Sequence, residues 1–183
     1  MLRKFLNQFT LFNLMVIALM AALGIAVKSV IVPLVQLLTG PLYIPGGVVA
    51  GGVYMMFLVL AASLTRMRGA ATLCGLVQGI MVLIIGIAGS HGVLSILSYT
   101  LTGLAVDLLL LILRHKGCCA LCCFLGGMAA NLTGTLVVNA AFFSLPPVPL
   151  VLSLAAGALS GGLGGLLAWS ITKQLRKFGV VKT

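Results

Sequence analysis

The sequence predicts an all-α fold: a polytopic transmembrane bundle of six helices with the N and C termini on the cytoplasmic side. Three observations predict it. The chain is 62% hydrophobic and only 7% charged, with a mean hydropathy of +1.30, whereas a soluble domain is about 25% charged. Apolar stretches of membrane-crossing length recur between short breaks rich in Gly, Pro or charge. The basic residues gather at alternate breaks, as the retention of Lys and Arg on the cytoplasmic face requires.

At 183 residues, a span of about 20 residues leaves room for about six spans and no separate soluble domain. The whole chain, 1–183, is therefore read as a single integral membrane domain. The spans fall at 11–32, 47–65, 69–88, 92–113, 119–143 and 148–171. The first follows Arg3 and Lys4, and it is too long for a signal peptide's apolar core. A long outer loop follows it, carrying Pro33, Gly40, Pro41, Pro45 and Gly46. Being apolar yet broken by Pro and Gly, this loop is expected to fold over the bundle mouth as a lid.

Ten of the eleven basic residues, Arg3, Lys4, Arg66, Arg68, Arg114, Lys116, Lys173, Arg176, Lys177 and Lys182, fall on one side of this arrangement. Only Lys28 falls toward the other, where it either contacts the lid or snorkels to the outer headgroups. The formal charge of +10 is thus a topology signal directed at anionic lipid, and the clusters lack the interleaved aromatics of a nucleic-acid surface. The chain is placed in the cell membrane as a multi-pass protein, with no nucleic-acid partner.

Four of the five cysteines, Cys118, Cys119, Cys122 and Cys123, lie at the cytoplasmic start of span five, a reducing setting that disfavours disulfides. With His115 they suggest zinc, but adjacent pairs do not match usual ligand spacings, so packing or lipid modification is the expected role. Neither metal nor cofactor is expected. No nucleotide loop, nucleophile elbow, paired zinc histidines or second carboxylate is present, and Ser90 beside His91 has no orienting acid, so the chain is not read as an enzyme.

Asp107 is the sole acid, and it lies within span four. An ionisable group there is a functional candidate by default, open to three readings: a structural bond or ion pair, coupling to a partner, or contact with a ligand. Neutral polar groups cluster toward the outer side. Gln78, Ser95, Ser98, Tyr99, Thr102, Asn131, Thr135 and Asn139 lie in spans three to five, and Gln36, Tyr43 and His91 in the outer connections. Of these, Gln36, Tyr43, Gln78, His91, Ser95, Tyr99, Asn131 and Asn139 are the candidate substrate-binding residues of a pocket open to the outside.

Ala18, Ala22 and Ala26 form a stripe of small residues on span one, and Gly157, Gly161 and Gly165, with Ala158 and Gly162 beside them, form another on span six. The second is assigned to packing within the bundle. Six short spans, the alanine stripe, the Pro/Gly-rich first outer loop and the Gly-rich last span ending in basic residues together resemble the substrate-binding S components of energy-coupling factor (ECF) transporters. The resemblance implies a small-molecule vitamin as ligand, a transmembrane coupling (T) subunit and two ATPase subunits as partners, docking through Ala18, Ala22 and Ala26, and a gate in the first outer loop. The stretch IAGSHGVLSILSYTLTGLAVDLLLLILR looks most like the thiamine/hydroxymethylpyrimidine type, in which an acidic residue follows a G-L-x-x step. The competing readings are a membrane scaffold or assembly subunit without a small ligand, and a small intramembrane enzyme.

The charge count makes a topological prediction. Cysteine tags at Ser90 and Ser144 should react from outside intact cells, and tags at Arg68 and Lys116 only after permeabilisation. The reverse labelling would overturn the orientation.

Overall fold

The computed structural model describes residues 10–42, 44–86, 92–114 and 119–179. They form six helices, α1 (Leu11–Thr39), α2 (Gly46–Thr65), α3 (Ala70–Ile85), α4 (Leu94–Ile112), α5 (Ala120–Val138) and α6 (Pro147–Lys177), with no strand among the described residues. A single 3₁₀ turn, Gly40–Leu42, follows α1, and a π turn, Asn139–Phe143, prolongs α5. All but α3 are long and apolar enough to cross a membrane. The 16 residues of α3 rise only ~24 Å, less than a hydrocarbon core of ~30 Å.

Helix α2 is the axis of the bundle. In its most apolar stretch 78% of residues are buried, against 33–39% in the other long helices. The remaining five stand around it in an arc, in the order α1, α3, α4, α5, α6, each touching α2 and its neighbours in the arc. Large apolar side chains such as Leu19, Ile84, Leu108 and Leu163 are exposed on the outside. In water they would aggregate, and in a bilayer they meet lipid tails.

Close approach of α6 to the centre depends on missing side chains. A Cβ on Gly161 would strike the backbone oxygen of Gly127 in α5, and one on Gly164 would strike that of Gly52 in α2. Ser160, just before them, accepts the N–H of Gly52 at 3.0 Å and donates to the carbonyl of Val49. The glycine stripe thus serves internal packing, while Ala18 and Ala26 are exposed and Ala22 half-buried on α1.

The long outer loop expected after residue 32 is much shorter in the structure. Helix α1 runs on through Pro33 to Thr39, because a proline inside a membrane helix loses one backbone bond without ending the helix when neighbouring elements hold the backbone. The Gln36 side chain supplies that hold by accepting the N–H of Gly46, whose backbone lies against that of Gln36. The segment expected to act as a lid is thus largely the last turns of α1 rather than a separate loop.

At the opposite end, Asn13 of α1 reaches Met67 after α2, and Arg176 of α6 donates to the carbonyl of Ser63 at 2.9 Å. The described basic residues other than Lys28 thus share one end of the bundle. Cys119 accepts the N–H of Cys122 as the N-cap of α5, and Cys123 lies 3.7 Å from the Ser63 hydroxyl, so both thiols serve local packing; Cys118 lies outside the described residues.

Gly161→Leu should lower the thermal unfolding temperature of the purified protein markedly, since forced overpacking costs about 1–3 kcal/mol or more. Ala18→Leu, on the exposed face, should leave it nearly unchanged. Equal melting of both variants would contradict the packing described.

Candidate functional site: a polar and aromatic cavity

A cavity of about 160 Å³ opens in the half of the bundle away from the arginines, walled by the end of α1, the start of α2, the start of α4 and the end of α5. A single water needs ~10–15 Å³ on the same measure, so there is room for a small organic molecule. Its polar groups come from Lys28 and Gln36 of α1, Tyr54 of α2, Ser98, Tyr99 and Thr102 of α4, and Asn131 and Thr135 of α5. Val32, Val48, Met55 and Val138 supply apolar wall, and Pro45 lines the mouth side.

Lys28 is the unexpected member. It is 7% exposed, so it does not snorkel away. Its ammonium stands 5.1 Å from the ring centre of Tyr99 and 6.0 Å from that of Tyr54, within reach of a cation–π attraction. With Asp107 the only acid in the chain and occupied elsewhere, this charge has no carboxylate side chain of its own chain to pair with. Tyr54, which the sequence reading passed over, is held by its hydroxyl donating to the carbonyl of Gly47 at 3.0 Å.

The expected site residues divide. Gln36, Tyr99 and Asn131 line the cavity, and Ser98, Thr102 and Thr135, noted as polar but not assigned to the site, line it as well. Asn131 also has a structural duty: its amide nitrogen donates to the carbonyls of Val48 at 2.9 Å and Gly157 at 2.8 Å. Gln78, Ser95 and Asn139 lie outside the cavity lining. Gln78 is buried against Gly24 of α1, its amide without a hydrogen bond to the described residues. Ser95 is buried in the first turn of α4. Asn139 accepts the N–H of Leu145 at 3.0 Å and so closes the turn into α6. Tyr43 and His91 lie outside the described residues.

Comparison with known proteins gives a family and a fold. Residues 12–133, about two thirds of the chain, match the family described as "ABC-type cobalt transport system, permease component". The chain belongs to this family. The permease is thus a multi-pass transporter subunit of the cell membrane and not an enzyme. No curated protein matches it in sequence. A solved structure described as "Crystal structure of an S-component of ECF transporter" superposes with a TM-score of 0.77 at 20% identity, covering 94% of this chain and 88% of that one. The permease therefore has the S-component fold.

Asp107 lies far from the cavity, at the arginine end of the permease. Its carboxylate accepts the backbone N–H of Thr72 at 2.8 Å and the Thr72 hydroxyl at 2.6 Å. Further backbone bonds come from Ala71 and Gly69. Helix α3 begins after Gly69 with no cap from its own side chains, so a carboxylate from α4 satisfies its first N–H groups and meets the positive end of its dipole. Of the three readings left open by the sequence, the geometry supports the structural one.

Asp107→Ala should lower the unfolding temperature of the permease, since a charged hydrogen-bond partner contributes about 1.5–3 kcal/mol, and it should speed hydrogen exchange at Thr72. Asp107→Asn, which keeps an acceptor, should cost less. A wild-type melting curve for Asp107→Ala would contradict the cap.

Proposed function

We propose that the permease is the substrate-binding S component of an ECF-type ABC transporter, capturing a small vitamin or precursor from outside for ATP-driven uptake by partner subunits. The cavity carries the reading. It is small, aromatic and polar, it opens at the end opposite the basic cluster, and the surrounding fold is that of an S component. The partners on this reading are a transmembrane coupling subunit and two ATPase subunits, with Ala18, Ala22 and Ala26 offering the coupling subunit a small-residue face that is exposed at Ala18 and Ala26.

The family description names cobalt. A bare dication would face the Lys28 ammonium among hydroxyls, amides and tyrosines, which is chemistry for an organic molecule. The same charge favours one of the two ligands suggested by the sequence. Thiamine carries a cationic thiazolium, which Lys28 repels, whereas hydroxymethylpyrimidine is neutral, rich in acceptors for an ammonium, and flat enough to lie among the tyrosines. Hydroxymethylpyrimidine is the better fit.

Binding to the purified permease should be measured by thermal shift and calorimetry with hydroxymethylpyrimidine, thiamine and cobalt(II). The pyrimidine should bind best. Lys28→Met should weaken it roughly tenfold to a hundredfold, the loss of one charged hydrogen bond of about 1.5–3 kcal/mol, while raising thiamine relative to it. Ala22→Trp should leave binding intact and weaken association with the coupling subunit. A permease that binds no small molecule would favour a scaffold role, and one that binds cobalt(II) alone would overturn the vitamin reading.

A further inference from the structure

A second concave site, of about 60 Å³, lies at the other end of the molecule, between the ends of α2 and α4. Three arginines line it, Arg66, Arg68 and Arg114, together with Asp107. Three positive charges thus face one negative charge. That negative charge is already engaged by Thr72 and the start of α3, which leaves the arginines in excess.

The backbone also singles out this site. Three non-glycine residues adopt positive φ among the described residues, and two of them are Arg66 (φ 51°) and Arg114 (φ 54°). A left-handed conformation at a non-glycine residue costs of order 1 kcal/mol. Each arginine follows a helix end, where a glycine or asparagine would normally stand; here the strained positions carry the two side chains that line the pocket. The remaining wall is apolar, from Ala62, Met67, Leu110 and Leu111. Leu111 is half exposed and the adjacent Ile112 is 78% exposed on the outer surface of α4, so the pocket adjoins a surface suited to acyl chains.

We propose that this pocket binds the phosphate of an anionic phospholipid headgroup, with Arg66, Arg68 and Arg114 as its charge partners and the lipid tails lying along Leu111 and Ile112. Arginine forks match phosphate oxygens bidentately, and basic pockets between helices on the cytoplasmic side are suited to anionic headgroups. The site is separate from the ligand cavity and shares no lining residue with it. A lipid held there would tie α2 and α4 together next to the Asp107 cap.

The test titrates the detergent-solubilised full-length protein with short-chain phosphatidylglycerol, short-chain phosphatidylcholine and inorganic phosphate, reading thermal stability. Phosphatidylglycerol should stabilise saturably and phosphatidylcholine should not. The double variant Arg66→Asn/Arg114→Asn, which keeps residues tolerant of positive φ, should weaken phosphatidylglycerol binding at least roughly tenfold. Lys173→Gln/Lys177→Gln, which removes the same charge elsewhere at that end, should not. Circular dichroism of both variants checks that the helices remain. Inorganic phosphate binding as tightly as phosphatidylglycerol would assign the site to a soluble phosphate and overturn the lipid. Equal stabilisation by both lipids, or equal loss in both variants, would show nonspecific attraction and overturn the site. No saturable response to any phosphate would also overturn it and would favour an acidic partner segment.

Discussion

The amide of Asn131 is the contact on which the rest of the bundle turns. From α5 it donates to a carbonyl in the first turn of α2 and to another in α6, and so fixes three helices at one point. In a hydrocarbon setting no water competes for those carbonyls, and an unpaired amide would cost several kcal/mol. The glycines follow from this contact. A Cβ on Gly51 would collide with the Asn131 amide, and one on Gly161 with its Cβ as well as with Gly127. The cavity lies beside this junction, bounded by Asn131 and by Thr135, which bonds back to the Asn131 carbonyl at 2.8 Å. Rigid packing and ligand site are built from the same residues.

Charge is used sparingly and unevenly. The one acid of the chain is committed to the start of α3, and the one described lysine or arginine away from the arginine end stands between two tyrosines at the cavity. Neither is an ion pair in the ordinary sense. The carboxylate is offset by helix N–H groups, and the ammonium by aromatic faces and whatever acceptor enters beside it. This division explains why a search for a ligand's counter-charge is better directed at Lys28 than at Asp107, although a lone acid within a span is the more conspicuous signal in a sequence.

The site was legible in part, for definite reasons. Tyr99 and Asn131 stood out because polar side chains at helical spacing within a span have to face an interior. Asn139 shared the Asn131 face by the same spacing, but it stands where the π turn Asn139–Phe143 begins, and its side chain is taken up in closing the turn into α6. Gln78 has the same chemistry as Gln36 and equal burial potential, yet it points to the seam between α1 and α3, away from the cavity. Tyr54 lies in a run of glycine and apolar residues with no polar neighbour at helical spacing, so nothing in the pattern marked it. Lys28 was expected either to contact the lid or to snorkel to headgroups; it is buried at the cavity, and the choice was open because periodicity alone does not say which face of α1 is covered.

By itself the sequence determined the number of helices, their alternation and the gathering of basic residues at one end, because a bilayer demands apolar runs of fixed length and positive charge is segregated in the connections. It also determined that the glycine stripe of α6 is an approach surface. Only the tertiary structure decided that α1 continues through Pro33 and that Asp107 caps a neighbouring helix. The same holds for the placing of Lys28 between Tyr54 and Tyr99. The physical reason is common to all three: each depends on what a neighbouring helix presents at one depth and one angle, and helical periodicity along a single chain segment carries no record of its neighbours.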